Sequence, residues 1–199
     1  VTGAALNELN TPVFAIQLPN RDILIVDQGN NRVIQVDRFS RRIVWAYGPT
    51  SGPGALNSPN SAELLPNGDI LIADENNSRV LEITHSGRIV SQISQGLNIV
   101  AFASRLPNGH TLIVDSGHAR IVEVNGRHQV VFQYFTNTGA TSNPNPLPTN
   151  AVRLANGDTM IADQFNHRVF TIDPDGRIDF QYGVTNVAGN GPDRLNGPY

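Results

Sequence analysis

The segment Leu65-Pro66-Asn67-Gly68-Asp69-Ile70-Leu71-Ile72-Ala73-Asp74 has three relatives in the same chain, at Leu18 to Asp27, Leu106 to Asp115 and Leu154 to Asp163. The leading leucines lie 47, 41 and 48 residues apart, and the closing aspartates keep the same intervals. Equal offsets at both ends place every insertion between the blocks and none inside them. A period of this length means one supersecondary unit repeated along the chain. No segment carries a helical period long enough to compete, which excludes leucine-rich and helical solenoids.

Each copy divides into four short strands, a to d. Strand a ends at the leucine, and Ala15, Ala62, Ala103 or Ala151 stands three residues before it, a small side chain suited to crowded inner strands. Strand b is an unbroken apolar run such as Ile23-Leu24-Ile25-Val26, the pattern of a strand buried on both faces. It is expected to begin within two or three residues of positions 22, 69, 111 and 158. Strand c opens at Arg32, Arg79, Arg120 and Arg168, and strand d carries aromatic pairs at Trp45 and Tyr47, Phe132 and Tyr134, and Phe180 and Tyr182. Pro66-Asn67-Gly68 supplies the preset φ and the left-handed residue of a hairpin between a and b. Thr84-His85-Ser86-Gly87 and Asp173-Pro174-Asp175-Gly176 do the same between c and d. The first copy has Arg21 and Ser40 where glycine is expected, as terminal repeats often depart from the pattern. The fold class that follows is all-β: a β-propeller of four-stranded antiparallel blades, with repeats at about 11–48, 58–94, 98–135 and 149–183.

Between strands b and c the copies read Asp27-Gln-Gly-Asn30-Asn31-Arg32-Val33, Asp74-Glu-Asn-Asn77-Ser-Arg79-Val80, Asp115-Ser-Gly-His118-Ala-Arg120-Ile121 and Asp163-Gln-Phe-Asn166-His167-Arg168-Val169. With the lead-in Gly52-Pro53-Gly54-Ala55-Leu56-Asn57-Ser58-Pro59, this element resembles the NHL repeat over nearly the whole chain. His118 departs from the asparagine, and the third copy lacks the Gly-rich lead-in. Independently of the resemblance, each Asp and Arg sit across a tight turn, close enough for a carboxylate–guanidinium pair. Asp27–Arg32, Asp74–Arg79, Asp115–Arg120 and Asp163–Arg168 are read as structural pairs, each contributing about 1 kcal/mol at most if exposed. All fourteen basic residues are arginine, which genome composition or chance explains, with recurring fixed, bidentate bonding as the alternative.

The resemblance implies about six blades, against four copies here. Residues 184–199, with Gly189 to Tyr199 similar to the lead-in at Gly52, are expected to lead towards a further blade. Ala5 to Pro12 forms the lead-in of the first copy. A part of a longer propeller is therefore expected; a closed four-bladed ring and self-association through the apolar flanks of the first and fourth blades are the alternatives.

The absence of cysteine excludes disulfides and thiolate chemistry, and no apolar run reaches the length that crosses a bilayer as a helix. A net charge of −3 argues against nucleic acid as a partner, and nothing in the sequence indicates a compartment. The face formed by b–c turns and lead-ins is expected to carry Asn31, Asn77, His118 and His167. His85, His110 and His128 are expected on the opposite face. Two histidines without a third ligand make a poor zinc site, so neither metal nor cofactor is expected. Strand a contributes Asn60, Glu63, Arg105, Asn150 and Arg153, which would line an axial channel and could hold a small polar ligand or a peptide between Glu63 and the two arginines. No catalytic constellation emerges. The function expected is a non-catalytic scaffold presenting loops to a protein, peptide or glycan. The alternatives are a lyase or hydrolase with a metal at the channel mouth, as among six-bladed propellers, and RNA binding, as among NHL proteins.

Overall fold

A computed structural model describes residues 8–199 and divides them into two compact units, one ending at Gly96 and the other beginning at Leu97. Ala5 to Asn7, the start of the first lead-in, lie outside the described residues. In the first unit, blade 1 is built from β1 (Pro12–Gln17), β2 (Ile23–Asp27), β3 (Arg32–Val36) and β4 (Ile43–Tyr47). Blade 2 follows with β5 (Pro59–Leu64), β6 (Ile70–Asp74), β7 (Arg79–Ile83) and β8 (Ile89–Ile93). The second unit contains blade 3, of β9 (Val100–Arg105), β10 (Thr111–Asp115), β11 (Arg120–Val124) and β12 (Val130–Phe135). Its blade 4 comprises β13 (Pro148–Arg153), β14 (Thr159–Asp163), β15 (Arg168–Ile172) and β16 (Ile178–Tyr182). All four sheets are antiparallel meanders in sequence order. Strand b starts within one residue of each expected position.

Blades stack through alternate residues. In the first unit Leu24, Val26 and Val33 of blade 1 meet Ala62, Ile72 and Leu81 of blade 2 in one buried cluster. In the second, Leu112, Val114 and Ile121 of blade 3 meet Ala151, Ile161 and Phe170 of blade 4. Ala62, Ala103 and Ala151 are buried as the crowding argument requires, whereas Ala15 is exposed on the flank of blade 1 that faces away from blade 2. Aromatic residues of strand d pack on the next blade: the Trp45 ring stacks on His85 at 5.3 Å, and its indole N–H donates to the His85 carbonyl at 2.6 Å.

The turns explain most of the conserved spacing. Gly68 adopts φ +86° and closes its hairpin onto Leu65, while Arg21 holds the same left-handed position in blade 1 at +74°. The c–d turn of blade 1 is one residue longer than the others, so the left-handed residue is Arg41 and not Ser40. Each b–c turn is a single 3₁₀ turn closed by a left-handed residue, Asn31, Ser78, Ala119 or His167.

The four Asp–Arg pairs form as expected, with Nε to Oδ2 distances of 2.7 Å in blades 1 to 3 and 3.0 Å in blade 4. They are stronger constraints than exposed pairs, because every one of these aspartates is fully buried. Removing one partner of a buried pair leaves an uncompensated charge, at a cost of about 3–5 kcal/mol. The second aspartate oxygen anchors the lead-in by accepting the backbone N–H of Asn10, Asn57 or Asn98. Asp163 is the exception. Its Oδ1 has no hydrogen-bond partner, and burial outweighs Asn166 and Arg168 to lift its pKa above the usual aspartate range.

Candidate functional site

The lead-in normally closes over the b–c turn. In blade 2, Arg79 donates to the carbonyls of Pro53 and Ala55 at 2.7 Å each, and Asn77 also donates to Ala55 at 3.0 Å. The short interval between the second and third copies falls in this segment: residues 94–99 join β8 to β9, whereas 48–58 and 136–147 serve the other connections. The third copy also carries the histidine. Asn30, Asn77 and Asn166 donate to the Oδ2 of their aspartates at 2.7–2.8 Å, and His118 Nδ1 takes over that bond to Asp115 at 3.0 Å.

That substitution changes the chemistry of the position. The Asp115 carboxylate also accepts from Arg120 and from the Asn98 backbone. With Nδ1 engaged by Asp115, Nε2 is the ring nitrogen directed away from it. The side chain is 44% exposed and borders a cavity of about 340 Å³. Asn137, Asn145, Pro146, Leu147 and Phe165 complete its walls.

Phe165 is a second break in the repeat. It occupies the turn position held by Gly29, Asn76 and Gly117; at the two glycines a Cβ would come within 2.8 Å of the lead-in residues Asn10 and Asn98. In blade 4 the lead-in residue at the position of Asn10 and Asn98 is Pro146, and Gln164 N–H donates to the Leu147 carbonyl as Ser116 N–H does to Ile99. The ring is 46% exposed. One wall of the cavity is thus apolar, and the carboxamides of Asn137 and Asn145, together with His118 Nε2, supply hydrogen-bonding groups.

The other expected site residues each have a place within their own unit. Asn31 and His167 hold the left-handed turn position, one residue after the position of Asn77 and His118, so the expected foursome mixes two sites. Asn31 Oδ1 accepts the Ser58 N–H at 2.7 Å, and His167 Nδ1 accepts the Gly197 N–H at 3.1 Å. Asn60 is buried and donates to Glu75 Oε2 at 2.9 Å, which Gln28 also reaches. Burial, opposed by the Asn60 bond, raises the Glu75 pKa. Glu63 lies half-buried in the first unit, and Arg105 and Arg153 belong to the second. Arg153 is engaged with Glu123 at 2.7 Å and with the Thr159 hydroxyl at 3.0 Å, while His110 binds the other oxygen of Glu123 at 2.6 Å. Burial would raise the Glu123 pKa, but the bonds from His110, Arg153 and Asn108 outweigh it and leave it lowered. Asn150 is half-buried in β13, and its Oδ1 lacks a hydrogen-bond partner. Sequence reasoning missed Phe165, Asn137 and Asn145; the phenylalanine at a position that is glycine or asparagine in the other copies was the available signal.

Among the described residues no three His, Cys, Asp or Glu side chains gather as a metal site would need. No described helix is long and apolar enough to cross a membrane.

No protein-family model and no curated protein sequence matches this chain. Solved structures do. A Bacteroides caccae protein of unknown function aligns with a TM-score of 0.66 at 17% identity, over 91% of this chain and 63% of its own. Virginiamycin B lyase from Staphylococcus aureus aligns at 0.64 and 14% identity, over 84% of this chain and 54% of the lyase. The WD40 β-propeller domain of Doa1 gives 0.64 at 12% identity, over 84% and 51%. At such identities the likeness shows the fold alone: the protein is a β-propeller, and it spans little more than half of most of these relatives.

Proposed function

We propose that the chain is a non-catalytic binding module of the NHL type, and that the cavity between His118 and Phe165 holds its protein, peptide or glycan partner. One observation carries this reading: two departures in the repeat's turn, a histidine for asparagine and a phenylalanine where the other copies have glycine or asparagine, lie in successive blades and border the same cavity. The site offers a ring and a proline–leucine wall for an apolar group, and an imidazole nitrogen and two carboxamides for a polar one, the usual mixture of a recognition pocket. NHL membership rests on the Asp-x-x-Asn-x-Arg turn and its lead-in.

Probing peptide and glycan arrays with the purified chain and with Phe165→Ala tests the proposal. A probe retained by the parent chain should lose about 2 kcal/mol of binding, roughly 30-fold, on loss of the ring. Array binding unchanged in both Phe165→Ala and His118→Ala defeats it.

A second reading, lyase or hydrolase chemistry, draws support from the Asp115-oriented imidazole, which has the geometry of a general base. The described residues do not fit the channel-mouth metal of that reading, so no step is drawn through one. Substrate turnover abolished by His118→Ala but retained in His118→Asn would count against a base, since asparagine cannot take the proton.

A further inference from the structure

Segment 136–147, which joins blade 3 to blade 4, is fastened at Asn143. Its N–H donates to Asn166 Oδ1 at 2.7 Å and its carboxamide donates to the Phe165 carbonyl at 3.4 Å. Two further asparagines of the segment, Asn137 and Asn145, line the cavity beside His118, and their carboxamides bond to no other described residue. Both are exposed, and each carboxamide offers N–H donors and a carbonyl acceptor side by side. Asn143 is thus structural, and its two neighbours are left to the cavity.

No carboxylate or guanidinium of the described residues lines that cavity, and His118 is the one titratable side chain on its walls. The charges behind the turn, Asp115 and Arg120, are paired with each other at 2.7 Å. A charged ligand therefore finds no fixed counter-charge here. Most backbone donors around the cavity are also missing or committed. Pro144 and Pro146 have no N–H, and that of Asn145 is donated to Asn143 Oδ1 at 2.9 Å. In the turn of blade 3, Ser116, Gly117 and Ala119 give theirs to the carbonyls of Ile99, Asn98 and Ser116. Neither stretch presents the row of unpaired N–H and C=O groups on which a peptide strand adds. One phenyl ring is too little for a polyproline helix, which docks in an aromatic-lined groove.

The side chains instead match a molecule that is uncharged, apolar on one flat face and edged by groups that both donate and accept. A neutral pyranose has this pattern, with C–H groups on a ring face and hydroxyls around its rim. We infer that the cavity takes a neutral terminal sugar of a glycan, its C–H face on Phe165 and its hydroxyls bonded to Asn137, Asn145 and a ring nitrogen of His118. This assignment rests on the binding-module reading above. At about 340 Å³ the cavity lies near the lower end of the about 300–1,000 Å³ usual for ligand sites, which suits a single terminal unit better than a long stretch of chain.

Saturation-transfer NMR on the full chain tests the inference, with the methyl glycosides of glucose, galactose and mannose as probes and methyl glucuronide as the charged contrast. At least one neutral glycoside should receive saturation, most strongly at the C–H protons of one ring face, and the glucuronide should bind more weakly. Phe165→Ala should weaken the bound glycoside roughly 30-fold, as loss of a central aromatic contact does. Asn137→Leu and Asn145→Leu, which keep the size and remove the hydrogen bonds, should each weaken it by about 3- to 10-fold. All three positions are exposed, and circular dichroism checks that each variant keeps its fold. No transfer to any neutral glycoside overturns the sugar, and array binding by the parent chain and Phe165→Ala then decides separately whether the binding module stands. Transfer that persists in Phe165→Ala places the sugar elsewhere and overturns the inference as well. A glucuronide bound more tightly than its neutral counterpart does the same.

Discussion

The b–c turns of blades 2 and 3 begin from the same Asp-to-Arg frame and end differently. In blade 2 the lead-in wraps Arg79 and Asn77 with its carbonyls, and the turn is architecture throughout. In blade 3 the lead-in is short, histidine replaces asparagine, and a cavity opens beside the turn. The Asp–Arg pair is identical in both. The comparison teaches that the repeat separates its duties: the pair holds the blade together, and the residue between Asp and Arg is free to change wherever the lead-in does not cover it.

Breaking the frame should have the largest effect. Arg79→Met and Arg168→Met each leave a buried aspartate uncompensated and should cost about 3–5 kcal/mol in denaturant unfolding. Arg120→Met, at the more exposed turn (17% against 6% for Arg168), should cost less. Equal losses at all three would mean that the open turn is as dry as the wrapped ones.

Exchanging the variable residue should have a smaller and directional effect. Asn166 is fully buried and bonded to Asp163 and Thr136, so Asn166→His overpacks its turn and should cost about 1–3 kcal/mol. His118→Asn restores the majority residue and should lie within about 0.5 kcal/mol of the parent. A large loss in His118→Asn would show that the imidazole is structural.

In the a–b turn of blade 1, Arg21→Gly replaces a side chain at φ +74° and should gain up to about 1 kcal/mol, read as a raised melting temperature.

The smallest effects concern pH, where two carboxylates of the second unit act with opposite sign. Glu123 has a lowered pKa, so its contribution is fully present above the unfolded value and is lost as pH falls through the folded one. Asp163 has a raised pKa, so its ionisation penalises the folded state above that value and the penalty disappears on acidification. Glu123→Gln should flatten the acid side of the stability profile measured by unfolding at successive pH values. A profile identical to that of the parent would remove Glu123 from the account.

The blades were legible because their determinants are local. A hairpin such as Leu65 to Asp69, a continuous run such as Ile70 to Asp74 and a left-handed turn residue lie within a few positions of one another and recur. The cavity was only half legible. His118 and the missing lead-in were visible as departures, but Asn137 and Asn145 reach the site through the irregular path of 136–147, which no periodicity describes. Arg153 illustrates the same limit: read from its strand it faces a channel, and its partner Glu123 stands 30 positions away in another blade.

Trp45 is the chain's single tryptophan, and it sits where blade 1 rests on the c–d turn of blade 2, stacked on His85 and bonded to its carbonyl. Its emission therefore reports on one joint in one unit, and the second unit is silent at that wavelength. Excited selectively, the indole follows the parting of blades 1 and 2, while circular dichroism follows all sixteen strands at once. Whether the two signals fall together or apart as denaturant is added distinguishes a chain that melts as one cooperative body from one whose halves melt in turn.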